Sequence, residues 1–96
     1  MRAIYIFLET IYDQEKFAEY RNLVMPTLKG FDAKFVVRGG EYTLVEGAWP
    51  YERTVAIEFP SREAAEAWYH SPEYQKILPL RLQSTSCSAI LIDAVA

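Results

Sequence analysis

The run Ala3-Ile4-Tyr5-Ile6-Phe7-Leu8 constrains this chain more than any other stretch. Its β-branched and aromatic residues favour a strand over Arg2 to Glu9, closed by Thr10 to Asp13. A strand sends alternate side chains to opposite faces, and here Ile4, Ile6 and Leu8 are matched by equally apolar Ala3, Tyr5 and Phe7. Both faces must therefore be covered. The expected last strand, Ser88 to Val95, has the same property, with Ile90 and Ile92 on one side and Ala89, Leu91 and Val95 on the other.

Between these strands the chain alternates. Asp13 is a suitable N-cap, Glu15 complements the helix dipole, and Phe17, Tyr20, Val24, Leu28 and Phe31 recur every three or four residues as one apolar stripe. Met25-Pro26 should kink or interrupt that helix, and Gly30 should stop it. Lys34 to Arg38 reads as a second strand, with Glu41 to Glu46 continuing extended. Gly39-Gly40 between them is either a tight hairpin turn or a bulge in one long bent strand. The shift of apolar parity from 35 and 37 to 42 and 44 favours the bulge, with the main reversal at Glu46 to Glu52, where Gly47 and Pro50 lie. Arg53 to Phe59 forms a third strand, and Ser61 caps a helix running to about His70. Ser71-Pro72-Glu73 restarts it with a capping serine, a proline in the first turn and an acid, and Tyr74, Ile77 and Leu78 give the apolar side before Pro79.

The order βαββαβ over residues 1–96 implies one α+β, ferredoxin-like domain: a four-stranded antiparallel sheet with two helices on one face. Two helices leave the other face bare, and the same face of a second copy is the simplest cover. A homodimer is expected. It suits a chain of 96 residues that is 51% hydrophobic and 15% aromatic, since so short a chain buries only roughly 60–65% of its unfolded surface.

Several function classes are set aside. A formal charge of −3 lacks the basic face of a nucleic-acid binder. The N-terminal apolar run is too short to span a bilayer, and no export signal precedes it, so the expected setting is cytoplasmic and away from membranes. Cys87 is the single cysteine and His70 the single histidine, so no metal-ligand spacing, disulfide or cofactor motif is expected. No Ser/His/Asp grouping or phosphate-binding loop occurs.

The segments FVVRGG, LVEGAW, VAIEFPS, AWYHSPEYQ and the following Leu80-Arg81 resemble, in this order, domain-of-unknown-function family 1330 (DUF1330) of the dimeric α/β-barrel superfamily. The likeness covers nearly the whole chain. It implies a ferredoxin-like protomer whose open sheet packs on its twin as a barrel, with a cleft in each subunit. The superfamily includes cofactor-free monooxygenases, chlorite-handling haem proteins, lactone isomerases and effector-binding modules. The chain departs from the family pattern at Phe31-Asp32-Ala33-Lys34, where a Gly-Gly-Arg-like run is usual. It departs again at His70, more often an acid, and at Asp93-Ala94, where glycine usually follows the acid.

A small-molecule site, with Arg38, Glu46, Trp49, Arg53, Glu58, Tyr74 and Arg81 as ligand-binding candidates, is the functional expectation. An arginine among them would grip a carboxylate or enolate, and a glutamate would serve as base. The competing expectation is a structural ion-pair network between strands and subunits. Trp49, Tyr51, Trp68, Tyr69 and Tyr74 are either pocket walls or core and dimer contacts. His70 precedes a helix restart, where a solvated histidine is ordinary, and Cys87 shows no basic neighbour in sequence to activate it. If the protein is an enzyme, the expected chemistry is cofactor-free proton abstraction, isomerisation or oxygen addition on a small activated carbonyl or phenol. A buried, unpaired carboxylate facing Arg38 or Arg53 would favour that reading.

Overall fold

The computed structural model describes residues 1–95. The elements run β1 (Ala3–Ile11), α1 (Gln14–Thr27), β2 (Lys34–Arg38), β3 (Arg53–Phe59), α2 (Arg62–Tyr69), α3 (Pro72–Ser84) and β4 (Thr85–Asp93). The four strands form one sheet in the order β2-β3-β1-β4, antiparallel at every pairing. The fold is α+β and ferredoxin-like, with the second crossover carried by two short helices in place of one. No helix among the described residues is long and apolar enough to cross a membrane.

The polar residues that start each helix act as the sequence suggests. Asp13 accepts from the Lys16 N–H at 3.1 Å and Ser61 from the Ala64 N–H at 3.0 Å. Ser71 works in both directions: its hydroxyl donates to the Trp68 carbonyl at 2.7 Å, closing α2, and accepts from the Tyr74 N–H at 3.2 Å, opening α3. Pro26 sits in the last turn of α1 without ending it early, because the helix runs to Thr27 and Gly30 turns left-handed just beyond.

Register divides the sheet into two faces. Ala3, Tyr5, Phe7 and Glu9 of β1 lie level with Phe59, Ile57, Val55 and Arg53 of β3, and all four β1 side chains are buried under the helices. The core there is aromatic, with Trp68 and Tyr74 fully enclosed and their ring centroids 4.1 Å apart. Ile4, Ile6 and Leu8 face the other way, next to Val37, Ile90 and Ile92, which remain 37%, 53% and 47% exposed. Arg2 pairs with Glu58 on this open face.

Three expectations are corrected. The irregularity in the second strand falls between Phe35 and Val37, not at Gly39-Gly40, and it turns Phe35 and Arg38 to the helix side while Val37 points to the open side. Strand pairing ends at Arg38, so Glu41 to Glu46 is unpaired loop and not an extension of β2. The reversal occupies 39–52, anchored where the Gly39 N–H donates to the Thr54 carbonyl at 2.8 Å. Finally, α3 continues through Pro79 to Ser84, so Arg81 lies inside the helix rather than after it, and β4 starts at Thr85 rather than Ser88. The buried contacts of Ile77, Leu78 and Arg81 hold the turn that Pro79 weakens.

Phe59 is fully buried on a central strand, so Phe59→Ala should lose about 3–5 kcal/mol of stability in urea unfolding. Leu82→Ala, at a side chain 50% exposed, should stay within about 0.5 kcal/mol of wild type. Equal losses at both positions would contradict this arrangement of the core.

Candidate functional site

A cleft of about 90 Å³ opens between α1 and the helix-facing side of β1, β3 and β2. Its apolar walls are Phe7, Phe17, Val24, Phe35, Val55 and Ile57, and its polar lining is Glu9, Tyr20, Arg21, Arg38 and Arg53. Each element contributes by periodicity. Alternation on β1 delivers Phe7 and Glu9, the three-and-four spacing of α1 delivers Phe17, Tyr20, Arg21 and Val24, and the irregularity in β2 delivers Arg38.

Glu9 is the unusual member. It is 2% exposed on the central strand, level with Arg53 on β3 and Cys87 on β4. Its Oε1 lies 3.3 Å from the Arg53 Nε, close enough for charge attraction. Yet these two atoms are not aligned as a hydrogen bond, and neither makes one elsewhere among the described residues. Burial pushes the Glu9 carboxyl above its ordinary range, and the nearby Arg81 and Arg53 guanidinium groups only partly oppose this.

Behind Glu9 stands a second buried charge. Arg81 is 2% exposed, lies over the Phe7 ring at 4.9 Å, and donates from Nε to the Tyr74 hydroxyl at 3.3 Å and from Nη1 to Cys87 Sγ at 3.2 Å. Burial works against its charge, but Tyr74 and Tyr20 more than offset this and hold its pKa up. The Tyr74 and Tyr20 hydroxyls share a hydrogen bond of 2.8 Å, and burial raises the pKa of both phenols. A line of polar groups thus runs from the cleft at Tyr20, through Tyr74, to Arg81 beside Glu9.

The seven sequence candidates separate. Arg38 and Arg53 line the cleft, and Tyr74 and Arg81 stand behind it in the core. Glu46 and Trp49 lie apart, in an exposed groove with Tyr42, Leu44, Val45 and Thr54. Glu58 is on the open face with Arg2. Of the aromatics, Trp68 and Tyr74 are core, Tyr69 packs against it, and Tyr51 reaches Ser88 through its hydroxyl at 2.5 Å. His70 is an exposed helix cap. Cys87 has a basic neighbour after all, Arg81, brought in by the fold and not by adjacency. Sequence reasoning missed Glu9, Phe17, Tyr20 and Arg21 as cleft residues. The signal for Glu9 was present, since continuing the alternation of Ala3, Tyr5 and Phe7 puts it on the covered face.

A carboxylate held in apolar surroundings, with a guanidinium beside it, can take a proton and stabilise the anion left behind. The same burial has a consequence for folding. The folded chain holds the Glu9 proton more tightly than the unfolded chain, so ionising Glu9 costs stability as pH rises from the ordinary glutamate value of 4.5 through the folded one. Glu9→Gln removes this cost. Its stability relative to wild type should therefore rise between acid and neutral pH in urea titrations, and a difference independent of pH would contradict the burial of an ionising Glu9.

Comparison with solved structures shows the same fold. A protein of unknown function from Rhodopseudomonas palustris superposes with a TM-score of 0.77 at 17% identity, covering 99% of this chain and 83% of its own. A dimeric ferredoxin-like protein of unknown function from Jannaschia sp. CCS1 gives 0.76 at 12% identity, covering 98% of this chain and 100% of its own. SnoaB, a cofactor-independent oxygenase from Streptomyces nogalater, gives 0.66 at 10% identity, covering 99% of this chain and 94% of its own. No curated protein matches the chain. The family model for a domain of unknown function, DUF1330, matches residues 2–95, and the chain belongs to that family.

Proposed function

We propose that this protein is a homodimer, joined through its open sheet faces, that binds a small molecule in the Glu9 cleft of each subunit. The observation that carries the cleft reading is the buried Glu9 carboxylate, facing Arg53 across 3.3 Å with a polar atom on each side left without a hydrogen bond. A buried carboxylate and guanidinium kept in this state are costly for a purely structural pair, and a bound polar group would satisfy both. Support for the dimer comes from the open apolar face, where Val37, Ile90 and Ile92 are exposed beside half-buried Ile4, Ile6 and Leu8, and from the description of the Jannaschia protein as dimeric. Packing two such faces would close the sheets into an α/β barrel.

The same observation favours a second reading, an enzyme. Glu9 would remove a proton from a small activated carbonyl or phenol, the bond to hydrogen breaking toward the substrate and the proton passing to Glu9 Oε1. The enolate or phenolate oxygen would then accept from Arg53. Return of the proton at another carbon gives isomerisation; reaction of the anion with dioxygen gives cofactor-free oxygenation. The SnoaB likeness supports the reading only as far as a shared fold. A protein whose whole design is dimerisation would fill the cleft with Trp49 and tyrosine side chains; Trp49 instead lies on the loop, and of the tyrosines Tyr20 lines the cleft without closing it.

Sedimentation at micromolar concentration should show a dimer that Ile90→Glu shifts toward monomer, and a stable wild-type monomer would overturn the assembly. Native mass spectrometry of freshly purified protein should show a retained small molecule that Arg53→Ala loses and Glu46→Ala keeps. Retention in Arg53→Ala would remove the cleft as its site.

A further inference from the structure

The cleft is more basic than the chain that builds it. Three guanidinium groups, Arg21, Arg38 and Arg53, line it against one carboxylate, Glu9, although the whole chain carries −3. Arg53 is paired with Glu9, but no ion pair among the described residues involves Arg21 or Arg38. Both instead lie over aromatic rings of the cleft, Arg38 at 4.0 Å from the Phe35 centroid and Arg21 at 5.7 Å from that of Phe17. Both are exposed while Glu9 is buried, so the unpaired cations mark the solvent end and the donor–acceptor pair marks the deep end.

The deep end asks for one particular kind of group. Glu9 Oε1 and Arg53 Nε stand 3.3 Å apart as an ion pair without an aligned hydrogen bond, so a group that both donates and accepts can complete both atoms. A single hydroxyl, phenolic or enolic, donates to one and accepts from the other. The walls between the two ends are apolar and partly aromatic, which suits a flat body. Size narrows it further. The cavity is about 90 Å³, below the ~150 Å³ that takes benzene, so it seats part of one ring and leaves the rest in the mouth.

We propose that the cleft takes a small, single-ring or comparably flat hydroxy acid, with its hydroxyl between Glu9 and Arg53 and its carboxylate held by Arg38 and Arg21. This rests on the small-molecule reading of the cleft and names the chemistry of its ligand.

The probes are 4-hydroxybenzoate, 4-hydroxybenzyl alcohol and benzoate, followed by methyl NMR of Val24, Val55 and Ile57 in the 96-residue protein. 4-Hydroxybenzoate should bind about tenfold or more tighter than either of the others, the scale of one charge-assisted hydrogen bond. In the Arg21→Gln/Arg38→Gln double variant, 4-hydroxybenzoate should weaken about tenfold while 4-hydroxybenzyl alcohol changes by less than about twofold. Both substitutions are at exposed side chains, and an unchanged thermal unfolding midpoint checks that the fold is kept. If the neutral alcohol binds as tightly as the acid, the anion requirement is overturned. If benzoate does, the hydroxyl requirement is overturned. If no probe moves the cleft methyls at millimolar concentration while native mass spectrometry shows a retained molecule, the ligand class is wrong and the cleft stands. If neither is seen, both fail.

Discussion

A carboxylate in the interior of the central strand is the constraint around which the helix side of this molecule is arranged. β1 is hydrogen-bonded on both sides, so the residues it turns inward have no freedom to move to the surface. Glu9 is the fourth such residue after Ala3, Tyr5 and Phe7, and its desolvation must be answered locally. Two arginines answer it from different elements, Arg53 from β3, whose Nε stands 3.3 Å from the carboxylate, and Arg81 from α3. Arg81 is itself buried and leans on the Phe7 ring, the Tyr74 hydroxyl and the Cys87 sulfur. The result is a charged pocket floor whose parts are fixed by packed aromatics, which is the condition for a preorganised site.

The loop 39–52 links that floor to the rest of the surface. Arg38 immediately precedes it and Arg53 immediately follows it, so both basic walls of the cleft sit at its roots. Gly39 makes the junction possible. Its φ of +65° is left-handed, and a Cβ there would lie 2.5 Å from Arg53 Nη1, so glycine lets the backbone and the guanidinium occupy adjacent space. Beyond the junction, Tyr42, Leu44, Val45 and Trp49 remain exposed, and Tyr51 extends to Ser88 on β4. Open sheet face and cleft are thus neighbours in the chain even though they lie on opposite sides of the sheet.

Much of the fold was legible because it rests on local chemistry. The caps at Asp13, Ser61 and Ser71 announce the helices, and the β-branched and aromatic run from Ala3 to Leu8 announces the first strand. What sequence could not show depends on contacts made across the fold. Ending β1 at Glu9 makes that residue look like a strand terminus, whereas pairing of Thr10 and Ile11 with Ser86 and Thr85 keeps it interior. Pro79 reads as a stop by propensity, and tertiary packing carries the helix past it to place Arg81. Parity signals a bulge without saying where, and its position at Val36 decides which face Arg38 serves. Glu46 and Trp49 are close to Arg38 in sequence, yet the loop takes them to a separate groove.

The direct test is a carbon-detected NMR titration of the Glu9 side-chain carboxyl in the folded protein. A midpoint clearly above the ordinary glutamate value of 4.5 is expected, because burial outweighs the attraction of Arg81 and Arg53. A midpoint at or below that value would mean a solvated or fully paired carboxylate, and the proposed site would lose its buried acid–base group.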